Sequence, residues 1–213
     1  MTVHYFYDAL CGWCYGFSKP FHAFYEKHRS DAEFRVISGG MIRGERIGPI
    51  FEVAPYIRTA YKDVEAASGV KFGEAFLKEV LGEGTTVMTS VPAAVALCVF
   101  REKFPDKQVE FAGDLQRAIY YDGVAPEDTA AFAARAARYG FDESEFNYKV
   151  SSAEYHALAK EDFKETERFG ITGFPAVVVE AKGEYFLMAK GFTSSDTLER
   201  VWEKIKEDVA SRD

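Results

Sequence analysis

The chain has 213 residues, 47% of them apolar and 28% charged, which is ordinary for a globular protein and long enough to bury a substantial core. A net charge of −8 argues against nucleic acid or an anionic membrane surface as a partner. No run approaches the ~20 apolar residues that a bilayer span requires, and three cysteines are too few for a disulfide framework.

Val3 to Tyr7 form an apolar, aromatic run that predicts a buried strand. The start, "MTVHYFYDAL", has no basic n-region, apolar h-region or cleavage site, so the expected location is cytoplasmic. "CGWC" follows at once, then a helical segment to about His28 with Phe17, Phe21, Phe24 and Tyr25 at helical spacing. Pro20 predicts a kink or a restart within it. "EFRVISGG" reads as a second strand, with Phe34, Val36 and Ser38 on one face and Gly39-Gly40 closing it. Residues 1–50 therefore hold a βαβ unit, with the cysteines where its first strand turns into its helix.

From 51 to 150 helical signals dominate. Pro92 lies in the first turn of an apolar helix capped by Ser90 or Thr89, and Pro126-Glu127-Asp128 opens another that Gly140 stops. Asp142 with Glu145 forms a capping box for a short third helix. Residues 151–213 return to regularity. Ser151 with Glu154 predicts a cap, and Tyr155, Leu158, Ala159, Asp162, Phe163 and Thr166 trace a helix face ended by Gly170. "FPAVVVE" and "EYFLMA" read as a hairpin around Lys182-Gly183, and a last helix is capped by Ser194 or Ser195. The order βαβ, helical insertion, αββα predicts an α/β thioredoxin-like fold with a mixed sheet and an inserted all-helical subdomain.

A C-x-x-C can clamp zinc, close a structural staple or cycle between dithiol and disulfide. A zinc site needs four ligands, yet Cys98 stands alone in an apolar helix and His4, His22, His28 and His156 are scattered, so no metal is expected. A four-residue disulfide loop constrains little, and Cys98 reads as a core residue. For a redox pair the position is apt. Cys11 falls at a helix N-terminus, where backbone N–H groups and the helix dipole favour a thiolate. Cys14, one turn in, is placed to resolve a mixed disulfide. Gly12 is expected to let the backbone turn tightly and leave Cys11 open, and Trp13 to offer a flat apolar surface. In "ITGFPAVVV" a proline opens a strand, a context for a cis peptide.

"FYDALCGWCYGF", the helical insertion and "GITGFPAVVV" before a hairpin resemble, over essentially the whole chain, the DsbA-like thioredoxin-fold oxidoreductases. The resemblance is nearest to the cytoplasmic branch regarded as disulfide isomerases, beside the FrnE type. It implies a thiol–disulfide oxidoreductase of reductase or isomerase type, with Cys11 as nucleophile, Cys14 as resolving thiol and Pro175 as a cis-proline facing them. Phe174 would pair through its backbone with an extended substrate. It also implies no cofactor beyond the Cys11–Cys14 couple, recycled by glutathione or a thioredoxin system, and protein or small-molecule thiols and disulfides as partners. Two departures stand out. Gly12-Trp13 replaces the Pro-His of the strongly oxidising members, which implies a milder couple. The buried acid six residues before the first cysteine is here Tyr5, leaving Asp8 as a candidate proton acceptor or else a turn residue. The alternative is a glutathione-dependent kappa-class transferase or hydroxychromene-carboxylate isomerase. Those usually carry serine at the place of Cys11 and lack the second cysteine. A non-catalytic binding module would have no use for the dithiol.

Overall fold

The computed structural model describes residues 1–212. Strand β1 (Thr2–Tyr7) is buried at every position after Thr2, because both its faces are covered. Tyr5 and Tyr7 face helix α1 (Gly12–His28) in the main core, while Phe6 packs with Ile37, Ala176 and Val178 on the other side. α1 runs unbroken through Pro20. β1 pairs in parallel with β2 (Glu33–Ser38) and antiparallel with the later strand Ala176–Ala181.

Between 39 and 152 the chain is mainly helical. The two-residue strands β3 (Gly48–Pro49) and β4 (Val87–Met88) pair with one another and flank α2 (Ala54–Ser68), a π-helical turn (Phe76–Val80) and the short α3 (Leu81–Glu83). Helices α4 (Val91–Lys103), α5 (Gln108–Tyr120), α6 (Thr129–Ala137) and α7 (Glu143–Val150) follow. α8 (Ala153–Arg168) leads to β5 (Ala176–Ala181), β6 (Glu184–Lys190) and α9 (Ser195–Ala210). The main sheet has the order β2-β1-β5-β6. Lys182 and Gly183 both take positive φ (51° and 77°), the tight turn whose twist suits a hairpin.

Capping differs from the sequence expectation at three places. The Ser90 hydroxyl makes no cap bond to α4 and donates to Asp8, while the Thr89 hydroxyl accepts the Val91 N–H at 3.4 Å. α6 starts at Thr129, three residues after Pro126, because the Asp128 carboxylate accepts the Ala131 N–H at 3.0 Å. The Ser151 hydroxyl donates back to the Asn147 carbonyl, so Ser152 takes the α8 N-cap position without a side-chain bond. Leu158 on the expected apolar face of α8 is exposed. Asp142 and Ser194 do cap, accepting from Glu145 N and Thr197 N.

The larger of the two hydrophobic clusters is continuous through the molecule. It runs from Tyr5, Phe17 and Phe21 beside the sheet to Phe100, Phe111, Phe132 and Phe146 among the helices. Phe100 and Phe111 stack with ring centroids 3.9 Å apart. At the free edge of β2, side chains take the place of a neighbouring strand. Gln108 accepts from Val36 N and donates to Phe34 O, both at 2.8 Å. Asp162 accepts from Ser38 N at 3.1 Å and holds Arg101 in a two-pronged ion pair at 3.0 and 2.8 Å. Arg101 also donates to Val36 O. A sheet edge satisfied this way presents little to an intruding strand, and its C-terminal end is fixed just before the chain enters the cysteine site.

Candidate active site

Cys11 is the N-cap of α1, with extended φ and ψ of −93° and 110°. Its backbone N–H donates to Asp8 O at 3.1 Å, which shapes the turn from β1. Its sulfur accepts the Cys14 N–H at 3.4 Å, the cap interaction that a side chain makes with an orphan N–H at a helix start. Opposite, the Cys11 thiol donates to the Phe174 carbonyl at 3.5 Å, and the Phe174–Pro175 peptide is cis. Both cysteines are free thiols. Cys14 is fully enclosed, and burial, together with the neighbouring Cys11, pushes its thiol well above the ordinary value. Cys98 is likewise buried on α4, its thiol pushed up to about 12 by desolvation.

Cys11 is less open than its position implies: only 7% of its surface is exposed, and that part looks into a cleft. The cleft has a volume of about 570 Å³. Its walls are largely apolar, from Trp13, Met41, Ile57, Tyr61, Phe72 and Phe174, and Arg43 and Arg46 bring positive charge to it. Arg43 is ion-paired with Glu167. Trp13 is half-buried with its ring 6.2 Å from that of Phe192. Gly12 does not serve a strained turn. It is the first residue of α1, outside the positive-φ set, and a Cβ there would meet only Phe72 at an ordinary 3.7 Å.

The glycine that the site requires is Gly39. A Cβ at this position would lie 2.1 Å from Phe174 Cζ, because the Phe174 ring rests directly on the backbone at the end of β2. The sequence marks Gly39-Gly40 only as a strand end. Gly39→Ala must drive the Phe174 ring off the end of β2 and so reshape the cleft beside Cys11. The expected result is a loss of at least about tenfold in kcat/KM for disulfide reduction, with circular dichroism unchanged.

Asp8 is buried beneath the site and fully engaged. Its Oδ1 accepts from Leu10 N at 2.9 Å and the Ser90 hydroxyl at 2.8 Å, and its Oδ2 from Met41 N at 2.7 Å. Burial raises its pKa against the pull of these donors. The carboxylate thereby ties the cysteine turn to the chain after β2 and to the start of α4. Met41, Arg43, Arg46, Tyr61 and Phe72 escape a reading of the sequence because they come from separated segments that carry no local motif. Among the described residues the cysteines are in no group of three or more ligand atoms within 4.8 Å of one another. Such a group is formed by His22, Glu26 and Glu110, where α1 meets α5. Glu110 there is already paired with Lys107. Among the described residues no helix is long and apolar enough to cross a membrane.

Known proteins place this architecture. A "putative protein disulfide isomerase" from Nitrosomonas europaea superposes with a TM-score of 0.84 at 21% identity, covering 97% of this chain and 98% of the other. The cytosolic disulfide reductase DsbM from Pseudomonas aeruginosa gives 0.80 at 23% identity, over 97% and 99%. A 2-hydroxychromene-2-carboxylate isomerase gives 0.66 at 15% identity, over the full length of both chains. No curated protein sequence matches. The family model of the DSBA-like thioredoxin domain matches residues 2–202. Sheet order, helical content and this match agree, and the chain belongs to the DSBA-like thioredoxin domain family.

Proposed function

We propose that the protein is a thiol–disulfide oxidoreductase working as a reductase or isomerase, with Cys11 as nucleophile and Cys14 as resolving thiol. The observation that carries this reading is the Cys11 sulfur itself. It sits at the α1 N-terminus on the Cys14 N–H, faces the Phe174 carbonyl before cis-Pro175, and is reached through an apolar cleft. Cys11, reacting as the thiolate, attacks one sulfur of a substrate disulfide R–S–S–R′, forms Cys11–S–S–R and expels R′–S⁻, which takes up a proton. Cys14 then forms Cys11–S–S–Cys14 and releases R–SH. The substrate leaves reduced and the protein oxidised, and an external thiol restores the dithiol.

Gly12-Trp13 places no cation between the cysteines, which favours a milder couple and the reducing direction. A reducing, cytosolic setting, like that in the name of DsbM, suits this direction. Arg43 and Arg46 suit a substrate or recycling thiol bearing carboxylates, as glutathione does. DsbM has been solved with GSH. The apolar walls suit peptide side chains equally, and Phe174 is the place where an extended segment would dock. The division into 1–50, 51–150 and 151–213 then separates the two halves that carry the cysteines and the proline from the helices that wall the cleft.

The test is reduction of insulin disulfides with reduced glutathione or a thioredoxin system as electron donor, alongside conjugation of glutathione to an electrophile. Catalysed insulin reduction without conjugation is the expected result. Conjugation without disulfide reduction would replace this reading by the kappa-class or hydroxychromene-carboxylate isomerase type.

A further inference from the structure

A group of metal-ligating side chains lies away from the cysteines, where α1 packs on α5. His22 and Glu26 are four residues apart on α1 and so share one face of that helix. Glu110 meets them from the first turn of α5. One ligand atom from each residue lies within 4.8 Å of the other two. His22 and Glu110 also line a cavity of about 550 Å³ between the two helices, which shares no lining residue with the cysteine cleft.

Glu110 sets this group apart from an ordinary charged surface. Its pairing with Lys107 engages only Oε1, which accepts from Lys107 Nζ at 3.0 Å and from the Tyr25 hydroxyl at 3.3 Å. Its Oε2 is buried and has no hydrogen-bond partner. Burying a carboxylate oxygen without a partner is costly, and a cation bound there removes that cost. His22 is equally uncommitted. Its ring is exposed and touches that of Tyr25, with centroids 6.0 Å apart, and among the described residues its nitrogens make no hydrogen bond. Glu26 faces Arg29 at 3.6 Å, a loose surface pair that breaks at little cost. Imidazole beside two carboxylates suits zinc and its neighbours in the transition series, whereas magnesium and calcium take oxygen donors. Ligand atoms lie about 2.0–2.2 Å from zinc, and small rotations of the two exposed α1 side chains reach that distance. Two carboxylates balance the charge of the ion, leaving the partly exposed Lys107 and Arg29 free to turn to water.

We propose that His22, Glu26 and Glu110 form an accessory zinc site that clamps α1 to α5, with water completing the coordination on the exposed side. The site takes no part in disulfide exchange and stands independently of the oxidoreductase reading. The sequence conceals it, because the third ligand comes from another helix and no zinc motif surrounds His22. Its effect is mechanical. Bound zinc joins the helix that begins at the cysteines to a helix of the insertion, so binding stabilises the folded chain.

The experiment uses the untagged full chain, stripped of metal by a chelator and oxidised to the Cys11–Cys14 disulfide so that neither thiol competes as a ligand. Zinc chloride is titrated by calorimetry at neutral pH, and the melting temperature is measured with and without the metal. The wild type should bind a single zinc ion per chain and melt at a higher temperature with it. An excess of Mg²⁺ should neither displace the zinc nor reproduce the shift. His22→Ala and Glu110→Gln should each weaken zinc binding at least about tenfold and abolish the shift. Both should keep the melting temperature of the metal-free protein, since His22 is exposed and glutamine still offers an oxygen to Tyr25. His156→Ala, which removes a histidine outside the group, should bind zinc as the wild type does. Absence of zinc binding in the wild type would overturn the site. So would undiminished binding in His22→Ala and Glu110→Gln, or an equal loss in His156→Ala.

Discussion

Exchanging Cys11 for serine will reduce insulin-disulfide turnover to background, whereas exchanging Cys14 for serine will stop the reaction halfway. The two sulfurs are 1–4 neighbours on one helix turn, yet their surroundings set them apart. Cys11 alone reaches the cleft and alone faces the Phe174 carbonyl, and Cys14 is sealed beneath it. A serine hydroxyl at position 11 neither ionises near neutral pH nor attacks sulfur, so no first adduct can form. With serine at position 14 the adduct forms and has no internal thiol to displace it. Multiple turnover then falls by at least about 100-fold, and the protein accumulates as a Cys11 mixed disulfide visible by mass spectrometry without reductant. Undiminished turnover in Cys11→Ser would remove the central claim, and an unmodified Cys11 in Cys14→Ser would remove the assigned order of attack.

The largest effect on stability is expected at Asp162. Its carboxylate is almost entirely enclosed, and its side chain receives both prongs of Arg101 and the N–H of Ser38. Arg101 is itself mostly shielded. Asp162→Ala leaves a buried guanidinium without its counter-charge and a buried strand N–H without an acceptor. Removing one partner of such a pair costs about 3–5 kcal/mol. That is a large fraction of the about 5–15 kcal/mol that holds a typical domain together. A urea titration should show the midpoint falling steeply with the slope retained. The exposed pair of Arg43 with Glu167 makes the contrast, since Arg43→Ala should change stability by no more than about 1 kcal/mol. Equal effects from the two substitutions would show that the β2 edge does not depend on the Arg101–Asp162 pair.

Local signals in the chain account for the frame and for the reactive pair. The near-continuous apolar run Val3 to Tyr7, the aromatic spacing after Cys14 and the "KG" turn each specify an element without help from distant residues, and the order of elements then fixes the sheet. Ser90 shows where such reading stops. By position it is a helix cap, but a buried carboxylate 82 residues away in sequence offers its hydroxyl a better acceptor. Gly39 is similar. Its flexibility is legible, but its purpose lies in the ring of Phe174, which arrives from the far end of the chain. Arg43, Arg46, Tyr61 and Phe72 line the cleft only because α2 and the segment after β2 pack around α1, and nothing periodic announces that. Tyr5 is visible as a core strand residue. That its hydroxyl is buried without a partner is a property of packing alone.

The continuous interior has a consequence for how the molecule comes apart. Phe132 and Phe146 in the late helices belong to the same cluster as Tyr5 beneath the cysteines, so apolar packing runs unbroken from the helical stretch to one face of the sheet. A shared core melts as one cooperative unit. Amide exchange in β1 and in α6 should therefore proceed through the same global opening, with a common free energy and a common dependence on denaturant. A substitution deep among the helices would then loosen the thiol pair as much as one beside it.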